Sequence, residues 1–71
     1  MQEFLNFIAK VMEVDPSELN EDTAYGQFEK WDSLMHMRLV MEIEDEYNIE
    51  IPIDEVPEIK TLKTFFAYTK K

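Results

Sequence analysis

Residues 49–53, Ile-Glu-Ile-Pro-Ile, are the one run of this chain that alternates its side chains as a half-buried strand does. A strand needs a partner, and no second run of that kind exists to pair with it. A sheet is thereby excluded, and residues 49–53 read as an extended connector that inserts isoleucines into a core built by helices. The rest of the apolar pattern has helical spacing. Phe4, Leu5, Ile8, Val11 and Met12 mark a first amphipathic helix within residues 3–12. Leu39, Val40, Ile43 and Tyr47 share one arc at about 100° per residue and give a second helix, Ser33–Tyr47, its core stripe. Thr61 caps a last helix that turns Leu62, Phe65 and Phe66 inward, with Lys70 and Lys71 where cations complement its dipole.

Punctuation between these stripes completes the outline. Asp15-Pro16-Ser17-Glu18 reads as an N-cap, a proline at the first position and a glutamate that closes a capping box, enough for one short turn. Residues 20–30 are polar, hold the only glycine, Gly26, and carry Tyr25 and Phe28 as anchors to the core. An ordered loop of that length is uncommon without a functional reason. Asn48 suits the left-handed close of the second helix, and residues 54–59 allow one helical turn limited by Pro57. The expected fold is all-α: a small four-helix bundle of three main helices and one short helix, with a long loop after helix 1.

Seventy-one residues make a single domain, 1–71, with no room for a second core. A chain this short buries only about 60% of its unfolded surface, so modest stability is expected. Cysteine is absent, which removes disulfides and thiolate metal sites, and His36 has no second histidine to share a metal. No run approaches the ~20 apolar residues of a membrane span, and no signal peptide is visible, so a cytoplasmic protein is expected. The net charge of −9 repels nucleic acid and anionic membranes and favours basic protein surfaces.

Trp31-Asp32-Ser33-Leu34 opens the second helix. Asp32 is a good N-cap, which puts Ser33 at the first helical position with its hydroxyl pointing outward. The partial positive charge of a helix N-terminus favours a phosphate esterified there. Asp32-Ser33-Leu34, followed by Met41-Glu42-Ile43-Glu44-Asp45-Glu46-Tyr47-Asn48-Ile49-Glu50-Ile51-Pro52, resembles an acyl carrier protein over residues 14–68. Trp31 before Asp-Ser looks like that of the stand-alone carriers, and Lys30 stands where the family often has glycine. The resemblance implies a non-enzymatic, monomeric carrier of acyl or aminoacyl thioesters. It makes Ser33 the site of covalent 4′-phosphopantetheine, taken from coenzyme A, and Asp32 its acidic neighbour. It also implies the partners: a phosphopantetheinyl transferase, an acyl- or aminoacyl-loading enzyme, and downstream transferases with basic docking surfaces. With its own Met1 and no fused domain, a discrete carrier is expected over one excised from a synthase.

Blander readings stand beside these. Asp32, Ser33 and His36 are the residue types of a hydrolytic triad, yet a triad needs the acid beyond the imidazole, and here it adjoins the serine. An acidic helical adaptor that is never modified is the reading from another class. Glu42, Glu44, Asp45 and Glu46 crowd a helix C-terminus, where negative charge costs about 0.3–1 kcal/mol each at low salt, without visible compensation. Leu34, Met37 and Met41 lie on the arc of Ser33 and Glu44, with Asp45 close by, opposite the core stripe. Two readings are open for them: packing under the long loop, or an apolar docking face rimmed by Glu44 and Asp45. Trp31 reads as a plug holding the loop, and His36 as a half-buried side chain at the edge of the stripe.

Overall fold

The computed structural model describes residues 1–70; Lys71 lies outside the described residues, so its place at the last helix end does too. Helix α1 spans Gln2–Met12, α2 Ser33–Tyr47 and α3 Leu62–Tyr68. One 3-10 turn, Pro16–Glu18, follows α1, and another, Val56–Glu58, precedes α3. No strand forms among the described residues, and Ala24 and Thr61 make an isolated backbone bridge. This is the expected helical bundle, its short fourth helix reduced to a 3-10 turn around Pro57.

The apolar stripes do what their spacing predicts. Phe4, Leu5, Ile8, Ala9, Val11 and Met12 of α1 are buried, and they meet Leu39, Val40 and Ile43 of α2 and Leu62 and Phe65 of α3 in one core. Phe66, expected inward, packs against that core half-buried, with the Lys70 ammonium 4.6 Å from its ring centre. Helix α1 stops at Glu13, which takes the left-handed conformation (φ 61°) and bonds the Ala9 and Lys10 carbonyls. Glu13 is not a residue that normally fills this role, and the conformation costs it roughly 1–2 kcal/mol. The first 3-10 turn has its capping box: Asp15 Oδ1 accepts from the Ser17 N–H at 2.8 Å, and the Asp15 N–H donates to Glu18 Oε2 at 3.1 Å. The Ser17 N–H holds the Asp15 carboxyl below its ordinary pKa.

The long loop is ordered by α3. The Tyr25 N–H donates to the Lys60 carbonyl at 2.8 Å. In return, Leu62 and Lys63 donate their N–H groups to the Thr23 and Glu21 carbonyls, at 3.2 and 2.9 Å. Loop carbonyls therefore satisfy amides that the first turn of α3 leaves without helical partners, beside the Thr61 cap on the Thr64 N–H. Gly26 supplies the one glycine backbone at positive φ, 86°.

Trp31, at 1% exposure, is the plug its position suggests. His36 departs from expectation, being buried at 7% rather than half-buried. The Trp31 Nε1–H donates to His36 Nδ1 at 2.9 Å, and His36 Nε2 lies 2.9 Å from the Val56 carbonyl oxygen. An indole N–H can only donate, so Nδ1 is the acceptor and Nε2 carries the proton given to Val56. One imidazole thus ties the end of the loop, the first turn of α2 and the second 3-10 turn.

Two anchors differ from expectation. Ile51 is buried and Ile49 packs against the core, but Ile53 is 81% exposed. The Glu55 N–H bonds the Pro52 carbonyl at 2.9 Å, so the chain is already turning at Ile53 and the alternation has ended. Tyr25 is 39% exposed; its ring leans on Trp31 and His36 without entering the core.

Two expected outcomes test this packing. Trp31→Phe keeps a ring but leaves His36 Nδ1 without its donor, and should lower stability by about 1–3 kcal/mol in urea unfolding. A loss under ~0.5 kcal/mol would mean that the bond is dispensable. The Tyr68 hydroxyl donates to Glu55 Oε1, which pushes the phenol up to about 12 from an ordinary value near ~10. A raised folded-state value means that this contribution is complete below pH ~10 and is lost as pH climbs towards about 12. Burial raises Tyr47 as well, so spectrophotometric titration should show a tyrosine ionising at about 12 that disappears in Tyr68→Phe while Tyr47 remains, along with that part of the alkaline loss of stability.

Candidate functional site

Asp32 sets the start of α2. Its backbone is extended, its Oδ1 accepts the Met35 N–H at 2.8 Å, and its carbonyl accepts the His36 N–H at 2.8 Å. Ser33 is therefore the first helical residue, and it is exposed, as is Asp32. Fifteen residues of helix begin there, so the positive end of the dipole falls where the hydroxyl stands. The His36 tie fixes this turn from below, which gives an exposed hydroxyl on a rigid support.

Beside Ser33 runs a groove of about 280 Å³, walled by Tyr25, His36, Met37, Val56, Pro57 and Ile59 as well as Ser33. Its lining is chiefly apolar, and it separates the start of α2 from the second 3-10 turn. A larger hollow of about 450 Å³ lies on another part of the surface, with Met1, Lys63 and Phe66 among its walls and none of the Ser33 neighbourhood.

Leu34, Met37 and Met41 are exposed at 81%, 46% and 66%, so they are not packed under the loop. Asp45 is exposed on the same helix. Glu44 is half-buried, and its Oε2 accepts the Ile51 N–H at 2.7 Å, which pins the connector to the end of α2. The acidic helix end is thus partly compensated: Glu44 serves a backbone amide, and Glu42 lies 4.0 Å from Arg38 one turn back. Ile53, which sequence alternation assigned to the core, is exposed as well. The proline beside it was the available signal, since the ring breaks a strand and starts turns.

The hydrolytic alternative lacks its geometry. Both ring nitrogens of His36 are committed, to Trp31 and Val56, and neither bonds Ser33 or Asp32. Asp32 Oδ1 is spent on the cap. No group of three or more histidine, cysteine or acidic residues suited to a metal ion occurs among the described residues, and no helix there is long and apolar enough to cross a membrane.

The start of α2 thus brings together an exposed hydroxyl, a helix N-terminus and a chiefly apolar groove. Comparison with known proteins gives the family. The profile of the phosphopantetheine attachment site family matches residues 2–69. The acyl carrier protein of Rickettsia canadensis (strain McKiel) is 36% identical over 70 residues, covering 99% of this chain and 81% of its own length. That of Rickettsia prowazekii (strain Madrid E) is 34% identical over the same shares. The chain belongs to the phosphopantetheine attachment site family: it is a carrier and not an enzyme, and its cofactor is covalent 4′-phosphopantetheine.

Proposed function

We propose that Ser33 bears the phosphopantetheine arm, and that the chain, as one domain and one monomer in the cytoplasm, hands acyl or aminoacyl thioesters between biosynthetic enzymes. The observation that carries the assignment is the exposed Ser33 hydroxyl at the capped N-terminus of α2, beside an apolar groove. The carrier supplies no base, since His36 is locked and Asp32 is capping. A phosphopantetheinyl transferase must take the hydroxyl proton as the serine oxygen attacks phosphorus. The new phosphodiester forms as the pyrophosphate bond of coenzyme A breaks, and adenosine 3′,5′-bisphosphate leaves. The arm, once attached, supplies the thiol that the cysteine-free chain lacks.

Leu34, Met37 and Met41 form the apolar centre of the docking face in this reading, with Asp45 and the charge of Glu44 at its rim. Adaptable methionines suit a surface that meets several partners in turn. The carboxylates speed encounter with basic partners and set orientation more than they add affinity.

Incubation with coenzyme A and a phosphopantetheinyl transferase should add one phosphopantetheine by intact mass, and Ser33→Ala should fold yet gain nothing. A modified Ser33→Ala protein would move the site elsewhere. Met37→Ala and Met41→Ala should each slow modification several-fold while costing under ~1 kcal/mol, as surface changes do. A cost of ~2–5 kcal/mol would place them in the core instead. Asp45→Lys should reduce the association rate, more so at low salt. Glu44→Lys should in addition weaken the fold, because the Ile51 N–H loses its acceptor.

A further inference from the structure

Helix α2 turns one cation outward among its carboxylates. Arg38 is its only lysine or arginine, against Glu42, Glu44, Asp45 and Glu46. At about 100° per residue, Arg38 stands roughly 40° round the helix from Leu34 and about 60° from Met41, so it flanks the exposed apolar arc. Asp45 lies about 20° away on the same side and, at about 1.5 Å per residue, about 10 Å further along the axis. The Arg38 side chain is 52% exposed, and its one ion pair among the described residues, from Nε to Glu42, spans 4.0 Å. That separation is beyond a hydrogen bond, so the planar fork keeps its donors to offer. Arg38 also borders a hollow of about 340 Å³ between α1 and α2, with Phe7, Lys10, Glu42 and Glu46 among the other walls. Lys10 and Arg38 balance the two carboxylates there, so net charge does not shut an acidic side chain out of it.

We propose that Arg38 is a specificity-determining residue of the docking face: it selects partner enzymes whose basic docking surface carries one carboxylate, set about 10 Å from the cation that meets Asp45. The inference rests on the reading of Leu34, Met37 and Met41 as the centre of that face. Selection is a difference of affinities. The arginine fork fits a carboxylate through two parallel hydrogen bonds, a match that an ammonium or an amide on the partner cannot make. A partner that offers only cations leaves the fork unpaired and sets like charges against each other, which penalises the wrong surface more than it adds affinity for the right one. The carboxylates of α2 draw basic partners in, and Arg38 sorts among them.

The test uses two lysine-rich helical peptides with a leucine face. They are identical except at one position, about two turns from a central lysine on the same side, which is glutamate in one and glutamine in the other. Dissociation constants come from fluorescence anisotropy at ~0.15 M salt, and amide shifts in isotope-labelled protein locate the contact. The chain carries a net charge of −9, so overall charge alone favours the glutamine peptide, which is more basic by one. Arg38 reverses that order: the wild type should bind the glutamate peptide several-fold more tightly, and Arg38→Gln should return the preference to the glutamine peptide. Arg38 is exposed, so the variant should melt as the wild type does. A wild type that prefers the glutamine peptide, or binds the two alike, would overturn the inference. So would a preference for glutamate that survives in Arg38→Gln. Binding of neither peptide, with no shifts over residues 34–45, overturns the docking face and this inference with it, whereas mass gain from coenzyme A reports on Ser33 separately.

Discussion

The Trp31–His36–Val56 line is the contact on which the remaining structure depends. A tryptophan that ends a loop, a histidine in the first turn of a helix and a carbonyl in a 3-10 turn are joined by two hydrogen bonds through one ring. All three residues are buried, so each polar atom in the line must be paired, and each has a single arrangement that pairs it. Apolar packing would hold the three segments together but would let them slide. The hydrogen bonds remove that freedom, because an indole can only donate and the carbonyl can only accept. Phe65, stacked on Trp31, brings α3 into the same arrangement. The position of Ser33, three residues before His36, is therefore inherited from the core.

The stripes of α1, α2 and α3 were legible because helical periodicity survives in a single sequence. The caps at Asp15, Asp32, Asn48 and Thr61 were legible because each relies on its own short-range chemistry. What escaped was decided by partners far along the chain. His36 looks marginal on its helix, and Trp31 together with Val56, twenty residues on, makes it a core residue. Glu44 belongs to an acidic run by composition, whereas its carboxylate serves the Ile51 amide. The left-handed Glu13 had no local mark, since that conformation usually announces itself by glycine or asparagine. Of the candidate site, the exposure of the serine, its cap and the exposed apolar arc were readable. The groove was not, because its walls come from three separate segments.

Charge is handled differently from the core. Sixteen acidic residues face seven basic ones, and the one ion pair among the described residues, Arg38 with Glu42, is long and open to solvent. Such a pair contributes little. Most carboxylates are thus left uncompensated within the molecule, and the compact state holds their mutual repulsion in reserve. A basic partner would relieve it on contact, which would favour fast encounter and easy release over tight binding. A carrier needs that combination.

The pairing of the long loop with α3 has a consequence for how the molecule breathes. Seven residues are too few for a helix that stands by itself in water, since isolated helices shorter than ~12–15 residues are marginal. The Leu62 and Lys63 amides are held by the Thr23 and Glu21 carbonyls, so α3 and the loop lend each other their order. The two form one cooperative opening unit although they lie far apart in sequence. Cooperative opening of that kind would make their amides exchange with solvent together, through departure of the loop and not through fraying of the helix end.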